Sequence, residues 1–580
     1  MQEETMINQE DNSKEGPKAP KDPVKRRSSI FFMFESTIEA TCSSEGKPSQ
    51  DIYLEGRIKE NVKFIGGVTD EKILKLLENC SGFHKLVHSI GVSVKGLNDA
   101  PLNIDFVLKN LGKGKKYETG TLLRVPCRTD GSELILKLKD YTWSPEDDIL
   151  SKFAFEFENV GELAIATVKF YLHSGYEVPE VAMEAPVSFG SEEYKAMIRG
   201  SLLNKGNNKR LKTAIEKAQR GEDVTIAYIG GSITQGAAAK PINTNCYPYK
   251  AYLKFKDMFG KEGGENIHYV KAGVGGTPSE LGIIRYERDI LKDGVVEPDI
   301  VIVEFAVNDE GDETKGICYE SLCLKILSSK NKPAVILLFA VFMNDWNLQD
   351  RLSPVGKHYN LPMVSIKDAV VQQFSLRKSE GNIISKRQFF YDVFHPTNDG
   401  HRVMVDCLEH LFLETKKSVK DRDDIIIDKP PVIGNRFKNI HLIDKGNYIN
   451  VATITEGSFT QTDIDLQMVE MDDNPFLSPE FPLNWMHTNS SGKESFRMII
   501  KCSSLILVFK DSGSNTFGKA DIFVDGQHVK TANPHENNWT HCNPVILFQS
   551  EVCMKHTVEI KMVSDNEDKC FTILGFGYTL

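Results

Sequence analysis

The order of apolar and polar positions along the chain changes character twice. From about residue 46 to 185, short runs alternate with period two: Leu102-Asn103-Ile104-Asp105-Phe106-Val107, Leu134-Ile135-Leu136-Lys137-Leu138, Phe153-Ala154-Phe155-Glu156-Phe157 and Ala164 to Tyr171. Alternation broken by Gly, Asn and Asp predicts antiparallel strands with one buried face, hence a β-sandwich or jelly roll over 46–190. Asp70 to Glu78 interrupts it with a helical spacing. From residue 191 to 416 the runs become continuous and apolar: Val224–Ile229, Ile267–Lys271, Asp299–Ala306, Ala334–Val341 and Met363–Ile366. Amphipathic stretches separate them at Tyr247–Phe259, Ser279–Leu291, Ile317–Leu327 and Asp368–Phe374. Continuous apolar strands alternating with helices predict a parallel sheet covered on both faces. Past the charged, proline-containing stretch Lys416 to Pro431, alternation returns at Phe496–Ile500, Leu505–Phe509, Ala520–Val524, Val545–Phe548 and His556–Met562, predicting a second β-sandwich over 432–580. Residues 1–45, rich in Glu, Lys, Pro and Ser, are expected to be disordered.

At 580 residues, 40% hydrophobic and 26% charged, the composition suits a multidomain globular protein. A formal net charge of −11 argues against nucleic acid and against an anionic membrane surface as partners. No apolar stretch approaches the roughly 18 residues that span a bilayer. The run Ile30-Phe31-Phe32-Met33-Phe34 behind Lys25-Arg26-Arg27 is too short and too far in for a signal core. Eleven scattered cysteines fit reduced thiols and a cytoplasmic setting, although export by an unconventional route reads the same. No ligand spacing calls for a metal, and no motif calls for a cofactor.

The candidate chemistry sits at strand ends of the middle segment. Tyr228-Ile229-Gly230-Gly231-Ser232 delivers a serine from a buried strand through two glycines that let the backbone turn tightly. A serine hydroxyl becomes a nucleophile only beside a base, usually an imidazole oriented by a carboxylate. Asp392-Val393-Phe394-His395-Pro396 supplies that pair three residues apart, with Asn398 or Asp399 expected to cap the following helix. Acyl transfer also needs donors for a developing oxyanion. The loop Ala272-Gly273-Val274-Gly275-Gly276-Thr277 offers backbone N–H groups, and Ala306-Val307-Asn308-Asp309 ends a strand in an uncharged amide.

This ordered set resembles the SGNH hydrolases, also called GDSL-like esterases and lipases. Gly230-Gly231-Ser232-Ile233-Thr234 is similar to the family's first block, with Gly-Gly in place of Gly-Asp, a variant familiar in its carbohydrate-esterase branches. Gly275-Gly276-Thr277 resembles the second block, although Lys271 stands where Asn is usual. Ala306 replaces the glycine of the third block, and the last block is matched in full. The resemblance covers roughly 220–415 and implies a flavodoxin-like three-layer α/β/α fold and cofactor-free, metal-free ester hydrolysis. It implies Ser232 as nucleophile, His395 as general base and acid, Asp392 as orienting carboxylate, and Ser232, Gly276 and Asn308 as oxyanion donors. An SGNH domain between β-sandwiches resembles esterases that deacetylate plant polysaccharides or oligosaccharides. The run Asn533 to Asn543, with Trp539 and His541, offers groups that would close over the cleft or hold a sugar; a polar loop pinned by one tryptophan fits it equally. Trp143 and Trp485 read as core residues. A peptidoglycan O-acetylesterase, a lipase, a thioesterase and a non-catalytic carbohydrate-binding protein remain as alternatives, and assembly into a homo-oligomer through the β domains stays open.

Overall fold

The computed structural model describes residues 27–580 apart from 43–46, 55, 65, 98–101, 115–118, 181–183, 475–476 and 538. In the middle of the chain, β1 (Leu202–Asn204), β2 (Val224–Gly230), β3 (Ile267–Gly273), β4 (Ile300–Glu304), β5 (Ala334–Phe339) and β6 (Met363–Ser365) form one sheet in the order β1-β6-β5-β4-β2-β3. Strands β2 to β6 are parallel, and β1 adds antiparallel at the β6 edge. Every residue of β4 and β5 is buried, as a sheet covered on both faces requires. The parallel strands follow the flavodoxin-like doubly wound order, whose ligand crevice lies where the connections diverge to either side of the first strand. That strand is β2, and Ser232 follows it.

Helices cover both faces. On α1 (Lys209–Arg220), Leu211, Ala214, Ile215 and Ala218 recur at helical spacing and are buried, and Gly221 ends the helix at φ 82°. The other helices include α2 (Ser232–Gln235), α3 (Tyr247–Phe259), α4 (Ser279–Asp289), α5 (Ile317–Leu327), α6 (Gln349–Tyr359), α7 (Ile366–Phe374) and α8 (Asn398–Lys417). The cap of α8 is Thr397, whose side chain accepts from the Gly400 N–H, rather than Asn398 or Asp399. Asn398 instead accepts the Lys240 N–H.

The N-terminal domain is a sandwich. Strands Ile30–Glu39, Leu163–Leu172, Val87–Gly96 and Asp130–Lys137 form one antiparallel sheet; Thr41–Cys42, Pro48–Tyr53, Asp147–Glu156, Ile104–Gly112 and Leu122–Cys127 form the other, and both share one apolar core. This corrects the expected disorder of residues 1–45 over its later part. The run at 30–34 begins an edge strand that pairs with Leu163–Leu172 and buries Phe31, Met33, Phe34 and Ile38.

The C-terminal domain is one continuous eight-stranded antiparallel sheet curled around its own core. Two long strands, Phe496–Asp511 and His541–Met562, run through it, and bulges at Cys502/Ser504 and Leu505/Ile506 switch which residues face inward. On the opposite face Ile506, Val508 and Leu574 join the core of the middle domain. A Cβ on Gly577 would approach Ile284 of α4 within 2.6 Å, so this sheet and the α/β domain meet without a gap.

Candidate active site

Ser232 sits at the first position of α2, directly after the β2 turn. The turn is crowded. A Cβ on Gly230 would come within 2.2 Å of Thr234 Oγ1, and one on Gly231 within 2.1 Å of the Asn308 side chain. The second glycine therefore makes room for Asn308, which approaches from the end of β4. His395 Nε2 lies 2.9 Å from Ser232 Oγ, and His395 Nδ1 lies 2.9 Å from Asp392 Oδ2. Asp392 also folds its own loop: its Oδ1 accepts the backbone N–H groups of Phe394 and His395, each at 2.8 Å. The aspartate side chain is 3% exposed and the histidine 13%.

The three expected oxyanion donors lie at three neighbouring strand ends. The Ser232 N–H belongs to a helix's first turn, where no intrahelical acceptor exists. Among the described residues, no hydrogen bond engages the Gly276 N–H. Asn308 stands against the Gly231 backbone. Gly276 adopts φ +72°, a conformation suited to glycine.

Lys271, the departure from the family pattern, is fully buried, and its Nζ donates to the Gln235 carbonyl at 2.9 Å. Gln235 in turn accepts the Gly275 N–H at 2.9 Å. The lysine thus supports α2 and, through it, the glycine loop. Asp309 ties the same region together by accepting the Ser279 N–H and hydroxyl at 2.7 and 2.9 Å. Below the serine turn, Glu304 is enclosed, and burial lifts its carboxyl to about pH 8 while Thr234 donates to it. The His401 imidazole, buried at the start of α8, is held neutral by burial, down to about 3, and accepts the Tyr247 N–H.

Both flanking domains reach the site. Tyr391, the residue before Asp392, inserts into the N-terminal core, with its ring 5.3 Å from Phe34 in an edge-on contact. Arg57 of the same domain lies over the Phe394 ring at 4.7 Å. From the other side, Gln467 Nε2 donates to the Gly275 carbonyl at 2.8 Å, and His541 Nε2 donates to the Gly276 carbonyl at 3.0 Å. A cleft of about 960 Å³ runs between the domains over Ser232 and His395. Trp539 lines it, packed 4.7 Å from His541. His541 is 4% exposed, so its ring serves the glycine loop rather than standing free in the cleft. Trp485 is fully buried, and Trp143 donates to the Leu138 carbonyl beside the N-terminal core. Sequence reasoning missed Gln467, Tyr391 and Arg57, because their roles depend on contacts between domains that no local motif records.

Among the described residues, no group of His, Cys, Asp or Glu is arranged to hold a metal ion, and no helix is long and apolar enough to cross a membrane. Residues 228–403 match the sequence model of the GDSL-like Lipase/Acylhydrolase family. No curated protein matches the chain. Among solved structures, the chain is similar to a two-domain esterase, CEX, active on acetylated mannans, at 25% identity and a TM-score of 0.56 over 66% of this chain and 98% of that one. The same esterase co-crystallized with mannopentaose aligns at 25% identity, with a TM-score of 0.55 over 66% of this chain and 97% of that one. Residues 228–403 thus form a GDSL-like, or SGNH, hydrolase domain, similar in a wider alignment to a carbohydrate esterase, and the protein is a carboxylic ester hydrolase.

Proposed function

We propose that the protein removes O-acetyl groups from polysaccharides or oligosaccharides, with acetylated mannan- or xylan-type glycans as substrate. The observation that carries this reading is the Ser232–His395–Asp392 chain at the floor of a cleft walled by polar side chains of both β domains. Gln50, Asp51 and Lys152 stand on one side; Glu536, Asn537 and Asn543 stand on the other. Such walls suit hydroxyl-rich sugars, with Trp539 as an apolar surface for a ring face. The likeness to an esterase active on acetylated mannans supports the same reading.

In this mechanism Ser232 Oγ attacks the acetyl carbonyl carbon while His395 Nε2 takes the hydroxyl proton. The carbonyl electrons move to oxygen, and the oxyanion meets the N–H groups of Ser232 and Gly276 and the Asn308 amide. Collapse breaks the bond to the sugar oxygen, which leaves with the proton from His395. Water then attacks acetyl-Ser232 and gives a proton to His395; the acyl–oxygen bond breaks, His395 returns that proton to Ser232 Oγ, and acetate departs. Asp392 holds the imidazole in the tautomer with the proton on Nδ1.

Acetate release from acetylated mannan and xylan oligosaccharides, followed by mass, tests the substrate. Release from one or both, abolished in Ser232→Ala, is expected. In a chain-length series of nitrophenyl esters, faster turnover of eight-carbon chains than of acetate would contradict it.

A further inference from the structure

The glycine loop that contributes Gly276 is held partly from outside its own domain. The α/β domain fixes the Val274 N–H on the Gly230 carbonyl, the Val274 carbonyl on Thr277 Oγ1 and the Gly275 N–H on Gln235, but among the described residues it supplies no donor to the carbonyls of Gly275 and Gly276, which lack side chains. What holds the two carbonyls comes from elsewhere in the chain. Gln467, 6% exposed, donates Nε2 to the Gly275 carbonyl, while its Oε1 accepts the Cys542 N–H at 3.0 Å. His541 donates to the Gly276 carbonyl, with Asp511 3.4 Å from its other nitrogen. The indole of Trp539 lies against Gly276, where a Cβ would come within 2.8 Å of it.

The Gly275 carbonyl and the Gly276 N–H belong to one peptide group. In a planar trans peptide these two groups point in opposite directions. A donor that draws the Gly275 carbonyl toward the C-terminal domain therefore turns the Gly276 N–H away from that domain. The loop lies close to the nucleophile, since a Cβ on Gly275 would be 3.7 Å from Ser232 Cβ and 3.9 Å from Gln467 Nε2. We infer that Gln467 is a positioning residue for the oxyanion site: through the Gly275–Gly276 peptide, the C-terminal domain aims a donor at the substrate carbonyl. His541 steadies the next carbonyl in the same way. The oxyanion site is then completed by a domain about 200 residues further along the chain, and only the docked C-terminal sheet gives it its working geometry.

This inference rests on Ser232 acting as the nucleophile but not on the identity of the sugar. It is tested in the full chain with Gln467→Met, which keeps the side chain's length and removes the donor. The readouts are kcat and KM on 4-nitrophenyl acetate, and inhibition by a small alkylboronic acid that forms a tetrahedral adduct on the serine. A misaimed donor weakens the transition state without weakening ground-state binding. The expected result is a kcat lower by about 10- to 100-fold, KM within about twofold, and boronate inhibition weakened in parallel with kcat. Gln467→Glu, which cannot donate to a carbonyl when ionised, should behave like Gln467→Met. Wild-type kcat and boronate affinity in Gln467→Met would overturn the inference, as would a rise in KM alone. If Gln467→Met does not fold, His541→Phe, which keeps a ring against Trp539 and loses the second carbonyl contact, is expected to lower kcat selectively; an unchanged kcat there would equally overturn it. A Ser232→Ala protein as active as wild type would instead overturn the reading of Ser232 on which this rests.

Discussion

Asp392 carries two tasks in one carboxylate: Oδ2 faces His395 Nδ1, and Oδ1 closes the loop on the N–H groups of Phe394 and His395. Substitution separates them. Asp392→Asn keeps an acceptor for the loop but presents an amide to the imidazole, favouring the wrong tautomer. It should fold with a near-normal melting temperature while kcat falls by roughly 10² to 10⁴. Asp392→Ala should lose melting temperature as well. Glu304 makes a different residue-scale prediction. Its folded carboxyl binds a proton up to about pH 8, whereas in the unfolded chain it releases it near the ordinary 4.5. The native state then holds more protons than the unfolded state between those values, so stability is highest below about 4.5 and falls as pH rises toward 8. Glu304→Gln should remove this slope and stabilise the protein at pH 8 by an amount on the order of several kcal/mol. Denaturant melts of both proteins at pH 5 and pH 8 measure it; equal slopes would contradict the assignment. At this scale the sequence was informative where a residue's chemistry is local. Ser232 behind two glycines and Asp392 three residues before His395 could be read directly. The environment of Glu304 could not, because a strand-end glutamate looks the same whether its neighbours are water or Thr234 and Tyr247.

At the scale of elements, the five parallel strands were legible because burial on both faces leaves continuous apolar runs, and most of their helices were too, although α6 (Gln349–Tyr359), between two of those strands, was not read. The edge strand β1 was not; it has three residues, all only partly buried. The C-terminal pattern was misleading in an instructive way. Runs at 496–500 and 505–509 read as two strands, but a bulge shifts the alternation within one. The strand at Ile30–Glu39 escaped notice because its apolar start follows a charged, low-hydrophobicity leader. The charged, proline-containing stretch after α8 is tied down: Asp424 pairs with Arg210 at 2.8 Å, and Glu320 accepts the N–H groups of Val432, Ile433 and Gly434. The glycine loop gives the element-scale prediction. Gly276→Ala must place a Cβ at φ +72° and 2.8 Å from the Trp539 ring. Turnover should drop by about tenfold or more, with KM on a small ester little changed. A fully active variant would show that the loop has another way to present its donor.

Across the whole molecule, the α/β domain is braced from both sides at its catalytic edge. Tyr391 belongs to the N-terminal core, and the carbonyls of Gly275 and Gly276 belong to the C-terminal domain's hydrogen-bond network. Domain order could be read from the sequence, but this bracing could not, since packing across domains leaves no periodicity. The N-terminal brace is testable through Phe34, whose ring meets Tyr391 edge-on. Phe34→Ala should cost about 3–5 kcal/mol of stability and disturb the Asp392 loop, so that activity is lost at lower temperature than in wild type. A melting curve and an activity-loss curve, compared for the two proteins, read both effects. The central claim, that Ser232 becomes acetylated during turnover of an acetylated glycan, is tested most directly by rapid quenching of the reaction into acid and mass analysis of the peptide containing Ser232. One acetyl group on Ser232 is predicted, absent from Ser232→Ala, whose acetate release is also lost. Acetylation at another residue, or undiminished acetate release by Ser232→Ala, would contradict it.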